Sequence, residues 1–124
     1  MTIPEEDLHL KKFQKELNAG IVSLVLLATL AAADEPLYGY QIAKLLEPDG
    51  DHAVPVKQGT LYPVLRALSA ADLLASHVEP SVSGPPRRYY RITGEGRAVL
   101  AGWKQAWART RDFVDSALGD SKHE

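Results

Sequence analysis

Residues 56–93 read VKQGTLYPVLRALSAADLLASHVEPSVSGPPRRYYRIT, and this stretch decides the fold. Leu61, Val64, Leu65 and Leu68 recur at helical spacing, so a helix is expected over about residues 58–71. Gln58, Thr60, Tyr62, Pro63, Arg66 and Ser69 fall toward its other side. Proline is comfortable only in a helix's first turn. Either this helix begins late, near Thr60, or one carbonyl of its first turn goes without a donor. A loosely alternating strand follows over residues 74–79, then a Gly/Pro loop over 80–86 and a return strand over 87–92. Alternation sets Arg87, Tyr89 and Arg91 on one face and Arg88, Tyr90 and Ile92 on the other. Tyr90 and Ile92 are expected to cover the core. A helix followed by a basic hairpin suits a winged helix, in which the helix enters the major groove and the hairpin grips the flanking backbone.

Working outward, residues 5–18 have helical spacing, with Phe13 and Leu17 four apart. Asn18-Ala19-Gly20 reads as a break or kink, because glycine weakens a helix by roughly 1 kcal/mol relative to alanine. Residues 21–33 continue as a nearly all-apolar helix that Pro36 ends. Residues 37–47 (LYGYQIAKLLE) form a short amphipathic helix with Ile42, Leu45 and Leu46 inward, and residues 48–51 a turn. Thr93 is a good N-cap for a last helix over about residues 95–118, roughly 36 Å long at 1.5 Å per residue. The apolar stripe of that helix includes Leu100, Trp103, Trp107, Phe113, Val114 and Leu118. Little chain remains to cover it, so a second copy is expected there. Phe13, Leu17, Leu100, Trp103, Phe113, Val114 and Leu118 would form the dimer seam.

The expected class is mostly α (α+β): a winged helix-turn-helix with an N-terminal helix and one long C-terminal dimerisation helix. It divides into a DNA-binding domain with its helical extension over residues 1–93, and a dimerisation helix with a short polar tail over 94–124. The 124 residues suit one such body, and the 45% apolar share argues against a disordered chain. The absence of cysteine rules out disulfides and thiolate metal sites and suits a reducing cytosol. The apolar run over residues 21–33 falls short of the roughly 20 residues of a membrane span, and a soluble, cytoplasmic protein without a membrane partner is expected.

The net charge of −2 is the main objection to a nucleic-acid partner, so its distribution matters. Residues 1–35 hold three lysines against six acids, and residues 98–124 hold four of each sign. Residues 36–97 hold seven basic side chains against six acids, and Arg87, Arg88, Arg91 and Arg97 crowd the end of that segment. Such modest charge implies weak non-specific binding, with tight binding left to sequence readout or a dimer. An enzyme is not expected. His9, His52, His77 and His123 are scattered, and the acidic turn at residues 47–52 lacks the ligand count of a calcium loop. Gly94-Glu95-Gly96 lacks the lysine of a phosphate loop, and no nucleophile stands beside a base. No cofactor or metal is expected.

LYGYQIAKLLE, the QGTLYPVLRAL helix and GPPRRYYRITGEGR together resemble the PadR family of transcriptional regulators, in order and spacing. The single C-terminal helix is similar to the family's small subfamily. The resemblance implies a homodimeric repressor that leaves a pseudo-palindromic operator in double-stranded DNA when a small molecule or stress signal arrives. By position it implies DNA contacts at Gln58, Gly59, Thr60, Tyr62, Pro63 and Arg66 on the recognition helix, at Lys57 just before it, where the family often has a small polar residue, and at Arg87 and Arg88 on the wing. Tyr38 would reach the backbone while Tyr40 packs inside. Asp72 stands where the family usually has glycine, although aspartate tolerates the left-handed conformation. Trp107, with Trp103 beside it, falls where some multidrug-responsive relatives hold flat, apolar, often cationic effectors by stacking.

Blander readings stand beside these. Arg87 and Arg88 read also as solvated hairpin charges, Arg66 as a partner for Asp72, Tyr62 as a packing residue, and both tryptophans as core. Two other functions fit the composition: a protein-interaction winged helix that has lost DNA binding, and a dimer that only binds small molecules.

Overall fold

The computed structural model describes residues 5–46 and 58–119. Its order is α1 (Glu5–Ala32), β1 (Leu37–Tyr38), α2 (Gly39–Leu45), α3 (Gln58–Ala70), β2 (Leu74–Ser81), β3 (Gly84–Ile92) and α4 (Gly94–Ala117). The three strands form an antiparallel sheet in the order β1-β3-β2. The expected turn at residues 48–51 and the acidic stretch at 47–52 lie outside the described residues.

The core forms where α1, α2, α3 and the sheet base meet. Val22, Leu26, Leu27 and Leu30 of α1 pack with Ile42, Leu61, Leu65, Leu68, Leu74, Tyr90 and Ile92. Among the described residues no polar or charged residue is buried in it. The winged-helix expectation holds, with Tyr90 and Ile92 inward. Several details differ.

α1 runs unbroken through Asn18-Ala19-Gly20, where a kink was expected. The glycine penalty of roughly 1 kcal/mol is small beside the burial of the four apolar residues that follow it in α1. By length and composition α1 passes as a membrane span over Asp7–Ala32, but its apolar second half is core of this protein. The helix expected over residues 37–47 opens instead with a strand, since Leu37 pairs with Tyr90 and Tyr38 with Tyr89. α2 then starts at Gly39, and Gln41 Oε1 accepts the Tyr38 backbone N–H at 3.0 Å. Leu45, expected inward, is exposed, because the seven-residue α2 turns only Ile42 and, partly, Ala43 and Leu46 to the core.

The hairpin is longer than composition suggests: Pro80, Pro85 and Pro86, assigned to a loop, lie within strands. Ser81 pairs with Gly84 and Glu79 with Arg87, so Pro85 and Pro86 together face Pro80 across a bulge. Proline's missing N–H costs little there or on an edge strand such as β2. α3 ends in a Schellman turn. Leu73 N–H donates to the Leu68 carbonyl and Asp72 N–H to that of Ser69, both at 3.0 Å, while Asp72 takes φ of 64°. Thr93 caps α4 by accepting the Gly96 N–H at 2.9 Å, and its hydroxyl lies 2.8 Å from the Asp72 carbonyl. That cap ties the end of the hairpin to the end of α3. A Cβ on Gly96 would collide with the Leu73 carbonyl, so α4 approaches this turn more closely than any other residue allows.

Candidate nucleic-acid interface

α3 divides cleanly. Leu61, Leu65 and Leu68 are buried, while Gly59, Thr60, Tyr62, Pro63 and Arg66 are exposed on one side. Gln58 opens the helix, and Lys57 lies outside the described residues. Because α3 already includes Gln58, Pro63 stands inside it, and the Gly59 carbonyl lacks its usual donor four residues on. That carbonyl belongs to an exposed residue, where water or another partner can satisfy it. A Cβ at Gly59 would meet nothing within 4 Å, so the chain's own packing does not demand glycine there. The open space leaves room for another molecule's surface to approach the backbone.

Tyr62 is held by its neighbour helix. A Cβ at Gly39 would stand 2.6 Å from the Tyr62 ring and hydroxyl, so glycine is what lets this ring seat against the start of α2. The packing reading of Tyr62 therefore holds, and its still-exposed edge remains on the α3 face. Tyr40, expected inside, points to solvent instead. Among the described residues no ion pair joins Arg66 to Asp72. Arg66 instead sits near Tyr90, whose hydroxyl also feels Arg88 and Tyr62. Burial pushes the Tyr90 hydroxyl above its ordinary value, and Arg88 opposes that rise. Arg66 lies on the exposed face of α3 and Arg88 on β3, and α3 packs against β2 of the same hairpin. Arg88 Nη1 also donates to Ser76 Oγ across the hairpin at 3.1 Å.

Arg87 points to the opposite face of the sheet. Its guanidinium lies 4.4 Å from the centre of the Tyr38 ring. Tyr38 meets Tyr89 edge to face at 5.3 Å, and His77 stacks on Tyr89 at 5.5 Å. Tyr38, expected to reach the DNA backbone, is partly exposed and carries the Arg87 guanidinium on one face of its ring. Beyond these residues the wing tip, residues 80–86, carries no charge, and Val82 at its apex is fully exposed.

The residues expected at a dimer seam separate into two groups. Phe13, Leu17, Val114, Phe113 and Leu118 are exposed, the last two at 75% and 76%. Leu100 is a correction: at 4% exposed it fills the chain's own core and presents nothing to a partner. The first turns of α4 pack on α1 and the sheet, and only its later turns project. Trp103 is half-buried against the core, whereas Trp107 is exposed. Both line a cleft of about 580 Å³ between α1 and α4, with Glu16, Leu17, Gly20, Ile21 and Leu24 opposite.

Sequence reasoning missed Gly39, Ser76 and His77. Only Gly39 carried a signal, as a glycine inside an apparent helix.

The sequence model of the Transcriptional regulator PadR-like family matches residues 26–102. The transcriptional regulator Rv3488 of Mycobacterium tuberculosis is 37% identical over 92 residues, covering 74% of this chain and 79% of that protein. A PadR family transcriptional regulator from Eggerthella lenta superposes with a TM-score of 0.77 at 36% identity, covering 91% of this chain and 95% of that one. A PadR-like regulator from Bacillus cereus superposes at 0.66 with 28% identity, over 83% and 96% of the two chains. With its winged-helix order, its exposed α3 face and its basic hairpin, the chain belongs to the PadR-like family of DNA-binding transcriptional regulators.

Proposed function

We propose that this protein is a cytoplasmic, homodimeric repressor that binds a pseudo-palindromic operator and leaves it when a small molecule enters the cleft between α1 and α4. The observation that carries this reading is the exposed face of α3, with Gly59, Thr60, Tyr62, Pro63 and Arg66, on a helix that packs against the arginine-bearing hairpin. In this reading Gln58, Gly59, Thr60, Tyr62 and Pro63 face the major groove, and Arg66, Arg87 and Arg88 meet phosphates. Lys57, just before α3, joins them by position. No enzymatic step is assigned to the chain.

Dimerisation is supported by the exposed apolar side chains at the far ends of α1 and α4, with α4's later turns, not Leu100, supplying the seam. Residues 1–93 then act as the DNA-binding unit and 94–124 as the dimerising one. A flat apolar ligand, cationic where Glu16 faces it, suits the tryptophan-bearing cleft. Such a ligand would change the angle between the two heads, so that recognition helices spaced for successive major grooves lose register. A coupling of roughly 1–3 kcal/mol gives about a 5- to 150-fold change in operator affinity. The net charge of −2 favours the rival, a winged-helix interaction module without DNA binding.

A gel shift against the DNA upstream of the protein's own gene, with excess competitor, separates the two. A discrete shift that weakens with salt supports the repressor. Absence of any shift, on that fragment and on pooled genomic fragments, supports the interaction module.

A further inference from the structure

The outer face of the hairpin holds an arrangement that the groove-facing residues do not require. Glu79 lies directly opposite Arg87 in the strand register, the position from which a glutamate ordinarily pairs with an arginine across a ladder. It does not do so. Glu79 Oε2 lies 2.8 Å from His77 Nε2, two residues back on its own strand. Arg87 lies over the Tyr38 ring instead, and among the described residues it has no ion pair.

We propose that His77 and Glu79 set the charge that Arg87 presents to DNA: His77 holds the Glu79 carboxylate away from Arg87, leaving the guanidinium unneutralised for a phosphate. This rests on the reading of Arg87 as a phosphate contact. The geometry explains how the imidazole is aimed. Its ring stacks on Tyr89 at an interplanar angle of 11°, and Tyr89 is braced from the other side by Tyr38. With a proton on Nε2 the imidazole donates to the Glu79 carboxylate. Tyr38 completes the device. A ring face attracts a guanidinium without cancelling its charge and leaves its donor edge free for a phosphate.

The groups on this face are Tyr38 from β1, Arg87, Tyr89 and Arg91 from β3, and His77 and Glu79 from β2. Glu79 is thus the face's one acid, within reach of the cation it would cancel. Stability alone is a weak reason for the pair. His77 and Glu79 side chains are 44% and 55% exposed, a setting in which ion pairs add little. His77 and Glu79 are therefore positioning residues, acting through Arg87.

The test is fluorescence anisotropy of the full chain on a labelled random-sequence duplex, titrated across a range of salt. Arg87→Ala is expected to weaken binding about tenfold and to lower the salt slope by about one phosphate contact. His77→Ala should reproduce both effects, because the freed carboxylate swings to Arg87. Adding Glu79→Gln to His77→Ala should restore affinity and slope, a rescue that lost packing does not give. His77→Gln, whose amide still donates to Glu79, should stay near the wild type. The inference is overturned if His77→Ala binds like the wild type while Arg87→Ala is weak. It is equally overturned if the double variant stays as weak as His77→Ala with unchanged melting temperature. If Arg87→Ala leaves affinity and slope unchanged, the phosphate contact itself is wrong and this inference falls with it.

Discussion

Gly39 and Tyr90 mark where helix and wing are joined. Gly39 lets the Tyr62 ring lie against the start of α2, so Gly39→Ala forces the ring, and the α3 edge bearing it, outward. Overpacking of this kind costs about 1–3 kcal/mol, which chemical denaturation measures. Burial holds the Tyr90 hydroxyl above its ordinary value. A raised value for an acid means that the folded state prefers the neutral phenol. The associated stability is present below the unfolded value near 10.0 and is lost as pH rises through the folded value. Tyr90→Phe should therefore flatten the alkaline limb of a stability–pH profile while leaving its neutral region nearly unchanged. Of these residues the sequence disclosed Tyr90 through strand alternation. Gly39 showed only as a glycine inside an apparent helix, because a close approach between distant segments leaves no periodicity.

At the scale of elements, α3, the hairpin and α4 were legible from the spacing of Leu61, Leu65 and Leu68, the alternation of Arg87 to Ile92, and the Thr93 cap. Three features were not. Pro80, Pro85 and Pro86 resemble a loop, yet a bulge and an edge strand absorb them. Leu37 and Tyr38 resemble the start of a helix, but their pairing with β3 is decided by chain more than fifty residues away. Gly20 resembles a break, yet packing carries α1 through it. Pro63 illustrates a local cost that the fold tolerates. Pro63→Ala restores the donor that the Gly59 carbonyl lacks, so it should stabilise the protein by up to about 3 kcal/mol. A thermal melt checks the direction. In the proposed groove contact, the same variant should bind DNA more weakly, which gel shifts measure.

For the whole molecule, the chain leaves apolar side chains exposed at the far ends of its longest helices. Phe113 on α4 and Leu118 just after it are the most exposed of these near the C-terminal end of α4, so changing both to Lys should convert the proposed dimer into a monomer in sedimentation equilibrium. Folding should survive, because neither residue is in the core. A dimer that persists would place the seam elsewhere. The sequence marked this stripe, but it also assigned Leu100 to it. Helical spacing alone does not separate the turns of α4 that cover their own core from those that project.

In the proposed function α3 and the wing form one phosphate-contacting surface through Arg66 and Arg88. The most direct test is the slope of log affinity against log salt on a duplex carrying the operator, for the wild type and the Arg66→Ala/Arg88→Ala double variant. Each lost phosphate contact should lower the slope by about 0.9, so the double variant should fall by about 1.8 while remaining dimeric. Identical slopes for the two proteins would contradict the account.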